Sequence, residues 1–197
     1  MKLAFSTLGC PAWNIETVAE AVVRYGYDAV EWRVVDGSIL SPETPEHTLH
    51  RLVTLTREYH LSVAAVDTSC QFVQAAGVPE HAILWDLYHT CRAGEAPEQT
   101  LDQLGSALAY VHFKDARTSA ARGWELVPLG EGTLPLARTI HLLKRRGYTG
   151  FLSFEWEKLW HPHLAEPEMV LPQASTLVRR CLQEKAEDSS VAFEEGI

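Results

Sequence analysis

Basic residues are scarce in this chain. Its 17 lysines and arginines stand against 26 aspartates and glutamates, a formal net charge of −9. An acidic surface repels phosphate backbones, so nucleic acid is excluded as the expected partner. The densest basic cluster, Lys144-Arg145-Arg146, precedes Gly147. Cations suit a helix C-terminus there better than they suit a binding patch. Cysteine is also sparse. Cys10, Cys70, Cys91 and Cys181 form no CxxC pair, which excludes a zinc ribbon or dithiol motif. Scattered thiols fit a reducing, cytoplasmic setting. No apolar run approaches the length needed to span a bilayer, so no membrane partner is expected. The opening Met1–Cys10 is too short in its apolar part, and too interrupted by Ser6 and Thr7, for a lipoprotein signal. A glycine-rich phosphate loop is missing as well. The first apolar segment runs into Ser6-Thr7-Leu8-Gly9-Cys10-Pro11 with no G-x-G-x-x-G.

What remains is an ordinary globular composition. The chain has 197 residues, 46% of them hydrophobic and 22% charged. That suffices for one domain with its own core. The domain is expected over residues 1–182, with a polar, acidic tail over 183–197 that frays.

Short apolar segments bounded by polar residues read as buried strands: Lys2–Ser6, Ala29–Arg33, Ser62–Val66, Ala82–Asp86, Ala109–Phe113 and Phe151–Glu155. Helical stripes fall between or after them, over Ile15–Tyr25, Pro45–Tyr59, Pro97–Leu104, Leu134–Arg146 and Pro172–Glu184. Alternating strand and helix imply an α/β fold with a parallel sheet. The connection from Asp67 to His81 only modestly exceeds the roughly 10–12 residues a parallel crossover needs. The expected fold is therefore a (β/α) TIM-barrel-like domain, incomplete, with about six parallel strands and outer helices, where a complete barrel has about eight. A gap in such a barrel exposes strand edges, so a homo-oligomer is expected.

Polar residues sit at the C-terminal end of nearly every strand: Glu31 and Arg33, Asp67, Asp86 with His89, His112 with Lys114 and Asp115, and Glu155 with Glu157. A (β/α) barrel builds its active site there. Asp86 either caps the following turn or binds a cation, and His89 lies in the loop beyond it. Alternation places His112 and Lys114 on one strand face, and Ser153, Glu155 and Glu157 on one face of another. A carboxylate inside a buried strand is costly unless it is paired or holds a metal. Glu155 is thus a metal ligand, the preferred reading, or the partner of Lys114. Trp156 lines the barrel mouth or, more simply, packs against an outer helix. Together, Asp86, His112 and Glu155 end three successive strands and are placed to share one divalent cation. An oxygen-rich site with one imidazole suits Mn²⁺, Mg²⁺, Co²⁺ or Zn²⁺.

Six segments resemble the xylose-isomerase-like barrel superfamily, in its sugar phosphate isomerase/epimerase branch: Lys2-Leu3-Ala4-Phe5-Ser6-Thr7, Tyr27–Arg33, Trp85-Asp86-Leu87-Tyr88-His89, Val111-His112-Phe113-Lys114-Asp115, Pro128-Leu129-Gly130-Glu131-Gly132, and Gly147–Glu155. The resemblance implies a metal-dependent enzyme that moves a proton next to the carbonyl of a small sugar or sugar phosphate. It implies that Asp86, His112 and Glu155 match three of four family metal ligands. The first, a glutamate, is absent, together with two central βα units near Val73–Pro79. That glutamate is also one of the family's two acid/base groups. On this basis Glu155, His89 and Lys114 are the expected catalytic residues, and Glu31, Arg33, Asp67 and Trp156 the expected substrate contacts. The competing expectation is a catalytically degenerate barrel, with weak or no metal and sugar binding, stabilised by oligomerisation. A third possibility, an AP endonuclease, is disfavoured by histidine spacing and charge.

Overall fold

The computed structural model describes residues 1–41, 43–66, 83–121 and 123–184. Its centre is a six-stranded sheet built from β1 (Lys2–Ser6), β2 (Ala29–Trp32), β5 (Ser62–Val66), β6 (Ile83–Asp86), β7 (Leu108–Phe113) and β10 (Phe151–Phe154). The strand order is β5-β2-β1-β10-β7-β6, and every pairing is parallel. Outer helices cover it: α1 (Ile15–Arg24), α2 (Glu46–Glu58), α3 (Leu87–Arg92), α4 (Pro97–Leu104), α5 (Leu136–Arg145) and α6 (Pro167–Gln183). Two short antiparallel ribbons flank the sheet: β3 (Val34–Val35) with β4 (Ser38–Ile39), and β8 (Asp115–Ser119) with β9 (Gly123–Val127).

Local chemistry explains the helices. Asn14 caps α1 by accepting from Thr17 N at 2.9 Å, and the buried stripe Ile15, Val18, Ala19, Val22 seats it on the sheet. Gly26, at φ +72°, ends the turn in a conformation that suits glycine. The last helix begins at Pro167, five residues ahead of the sequence expectation, and Pro172 lies inside it. Pro172 reads as a helix start in sequence, but here Pro167 takes the first-turn position where a missing N–H is free.

The sheet is curled into a half-barrel. Glu31 on β2 and His112 on β7 are separated by two intervening strands, yet their side chains meet at 2.7 Å. In a flat sheet those strands would lie about 14 Å apart. The lumen therefore receives Tyr110 and His112 from β7 and Lys114 just after it, while Val111, Phe113 and Leu152 face outward against Ile140 and Leu143 of α5. Among the described residues, β5 and β6 form the two sheet edges, and Val63, Val66, Ile83 and Leu84 on them are exposed. The expected absence of two βα units near Val73–Pro79 falls outside the described residues, as does the start of the fourth expected strand at Ala82.

Asp115 anchors the loop after β7. It is 1% exposed. Its carboxylate accepts from the backbone N–H of Ala116, Gly130, Gly132 and Leu134 at 2.9, 2.9, 3.0 and 3.3 Å. A Cβ on Gly132 would lie 2.0 Å from Asp115 Oδ1, so only glycine fits there. The Pro128–Gly132 segment is thus wired to the end of β7. Asp115→Ala strands several buried donors and should cost about 3 kcal/mol in urea unfolding. A loss below about 0.5 kcal/mol, the range of neutral surface changes, would show that the loop is held by other means.

Candidate functional site

The site is assembled from the C-terminal ends of three adjacent strands. Register places Asp86, His112 and Ser153 in one row across β6, β7 and β10, and Glu155 follows two residues beyond Ser153. Asp86, His112 and Glu155 offer ligand atoms that all lie within 4.8 Å of one another. His112 and Glu155 are 3% and 9% exposed. Two carboxylates and an imidazole at this spacing fit a borderline or hard divalent cation.

Lys114, fully buried, is a cation already among these acids. Its ammonium lies 3.1 Å from Asp86 Oδ2 and hydrogen-bonds Glu155 and Glu157. Burial alone would favour the neutral amine. The charges of Glu155, Asp86 and Glu157 outweigh that and hold Lys114 above its ordinary range. The two readings of Glu155 left open by the sequence thus coincide, because the same carboxylate neighbours Lys114 and joins the three-residue cluster. Asp86 likewise serves twice. Oδ1 caps α3 by accepting from Tyr88 N at 2.9 Å and His89 N at 3.4 Å, and Oδ2 faces Lys114.

His112 stands between two carboxylates. Nε2 is 2.7 Å from Glu31 Oε2, and Nδ1 is 3.5 Å from Glu155 Oε1. Burial opposes the imidazolium, yet the hydrogen bond and charge of Glu31, with Glu155 and Asp86 behind, push His112 up to about 9. Burial would raise Glu31 too, but the His112 hydrogen bond and charge, with Tyr110 and Ser6, keep it below the usual carboxylate range. Burial raises Glu155, and the opposing pull of His112 and Lys114 does not fully reverse it. A carboxyl held above its ordinary range gives up its proton less readily than a free one.

The remaining expected residues are distributed around this cluster. His89 lies on α3 rather than in a loop, its Nε2 3.6 Å from Asp86 Oδ2. The six residues of α3 are too few to show a helical stripe in sequence. Glu31 is fully buried behind His112. Trp156 is 1% exposed, stacks on Phe154 at 6.0 Å, and donates to Ala165 O at 2.9 Å. Arg33 follows β2, where its backbone N–H donates to Thr7 Oγ1 at 2.9 Å. Asp67 lies outside the described residues.

Tyr110, given no role in the sequence reading, and Glu157, named there only as a strand-end residue on the face of Glu155, complete the cluster. Both were legible from alternation, Tyr110 with His112 and Lys114, and Glu157 with Ser153 and Glu155. Beside the cluster lies a cavity of about 690 Å³, lined by Tyr88, His89, Arg92, Trp124, Glu157 and His161, among others. Tyr88 stands under Lys114 at 5.5 Å and meets Trp124 of the β8–β9 ribbon edge-to-face at 6.1 Å. The cavity and the cluster thus share Glu157 as a common wall.

A parallel α/β half-barrel with its acids and imidazole at the C-terminal strand ends belongs to the (β/α)-barrel class of enzyme folds. Residues 70–181, more than half of the chain, match the family described as xylose isomerase-like TIM barrel, and the chain belongs to that family. Solved structures agree on the fold. A D-allulose 3-epimerase from Methylomonas sp. aligns with a TM-score of 0.64 at 12% identity, over 92% of this chain and 98% of that one. An L-ribulose 3-epimerase aligns at 0.59 and 14% identity, over 92% and 95%. A probable 3-DHS dehydratase from Bacillus anthracis aligns at 0.57 and 13% identity, over 91% and 99%. No curated protein matches the chain in sequence.

The His112 environment yields a pH signature. The folded chain keeps this proton up to about pH 9, whereas an unfolded histidine releases it near its ordinary 6.5. The resulting stabilisation is complete below pH 6.5 and is lost as pH rises through 9. Urea unfolding of the metal-free chain should weaken by about 3 kcal/mol across that window. His112→Gln should flatten the slope. An equally steep slope in that variant would remove His112 as its source.

Proposed function

We propose that this chain is a metal-dependent isomerase of a small sugar or sugar phosphate, working by proton transfer next to a carbonyl. The observation that carries the reading is the convergence of Asp86, His112 and Glu155 within 4.8 Å beside a large cleft. Those three residues would hold Mn²⁺, Mg²⁺, Co²⁺ or Zn²⁺. Once bound, such an ion polarises a carbonyl and stabilises the charge that develops on its oxygen. The remaining chemistry belongs to the chain. Glu155, with its raised carboxyl, takes and returns the proton. Lys114 and His89, beside the same cleft, hold substrate oxygens. The family's sugar epimerases among the solved structures support a carbohydrate substrate.

The arrangement favours isomerisation over epimerisation. Epimerisation needs proton-transfer groups on both faces of the reacting carbon. Among the described residues, Glu155, Asp86, Glu157 and Lys114 form one contiguous group, and Glu31 is shielded behind His112. A single carboxylate can still move a proton between adjacent carbons along one face of an enediol.

A second reading rests on Lys114. Its ammonium balances three carboxylates, which would let a non-catalytic relative persist without an ion. A calorimetric Mn²⁺ titration separates the two. The enzyme reading expects one ion per chain, with affinity falling at least about 100-fold in His112→Ala, and exchange of a ketose α-proton with deuterated water. Absence of Mn²⁺ binding in the native sequence, with no exchange of the ketose α-proton, would leave the non-catalytic reading standing.

A further inference from the structure

We propose that Glu31 is a positioning residue: from the far side of the lumen it holds the His112 ring so that Nδ1, not Nε2, faces the metal. This role rests on the metal reading above. Glu31 is fully buried on β2, and a carboxylate there is costly unless something specific compensates it. The compensation is concentrated on one oxygen. Glu31 Oε2 accepts from the Tyr110 hydroxyl at 2.7 Å and lies 2.7 Å from His112 Nε2.

A carboxylate can only accept, so the imidazole proton at this contact sits on Nε2. The other nitrogen is thereby committed to the opposite side. There Nδ1 lies 3.5 Å from Glu155 Oε1, inside the ligand cluster. In the neutral ring, Nδ1 carries the lone pair that a metal needs. A carboxylate behind a metal-bound imidazole also raises its basicity, and removing such a partner typically weakens metal affinity about 10–100-fold.

Tyr110 supports the same geometry. It precedes His112 by two residues on one face of β7, and the two rings meet edge-to-face at 5.5 Å and 70°. Two neighbouring side chains of one strand thus grip a single oxygen from across the sheet. The contact forms only when β2 and β7 face each other, so closing the curl and orienting the ligand are one event.

The test uses the full chain, labelled with ¹⁵N-histidine. In the metal-free wild type, a slowly exchanging downfield N–H signal on His112 Nε2 is expected, and Mn²⁺ affinity is read by electron paramagnetic resonance. Glu31→Gln keeps the shape and loses the charge. It should move the N–H signal upfield and weaken Mn²⁺ about tenfold. Glu31→Ala should abolish the signal and weaken Mn²⁺ further, toward about 100-fold. Should the alanine variant fail to fold, the glutamine variant decides alone. An unmoved N–H signal in Glu31→Gln, or Mn²⁺ affinity within twofold of wild type in each folded variant, overturns this role and leaves the metal reading intact. No Mn²⁺ binding by the wild type overturns both together.

Discussion

Everything at the candidate site depends on charge compensation inside a curled sheet. Glu31 on one side of the lumen and His112 on the other lie on strands separated by two others, and their 2.7 Å contact exists because the sheet bends. Once it bends, the C-terminal ends of β6, β7 and β10 converge, and their carboxylates enter a space with little solvent. Carboxylates gathered in such a space repel one another and lose hydration. The fold tolerates Asp86, Glu155 and Glu157 because Lys114 is held among them, and it tolerates Glu31 because His112 and Tyr110 are.

That balance also defines the chemistry available. A cluster rich in acids, with one ammonium and one imidazole, has donors to offer a further cation and a carboxyl that burial holds above its ordinary range. The ribbon of β8 and β9 lines the cleft with Trp124 and its neighbours, so a ligand there would lie between the ribbon and Glu157. The solved structures on this fold carry names of different reactions, two epimerases and a dehydratase among them. The barrel therefore does not choose the reaction; the side chains at its rim do.

Much of this was legible in the chain. Continuous apolar runs located the strands, and period-two alternation put His112 with Lys114 and Glu155 with Glu157. Less legible were short or irregular features. The turns of α3 are too few for a stripe, and Pro172 reads as a start although the helix carries it inside. Asp115 looked like one more polar residue at a strand end. It is the acceptor for four backbone donors of the following loop.

The sequence by itself determined the α/β class, the parallel strands and the residue types at each strand end, because these depend on neighbours within a few positions. Only the tertiary structure decided who meets whom. Glu31 and His112 are 81 residues apart, and nothing local records that they share a hydrogen bond. Strand order and curl set such distances, and both arise from packing the whole sheet at once, which no short stretch of chain encodes alone.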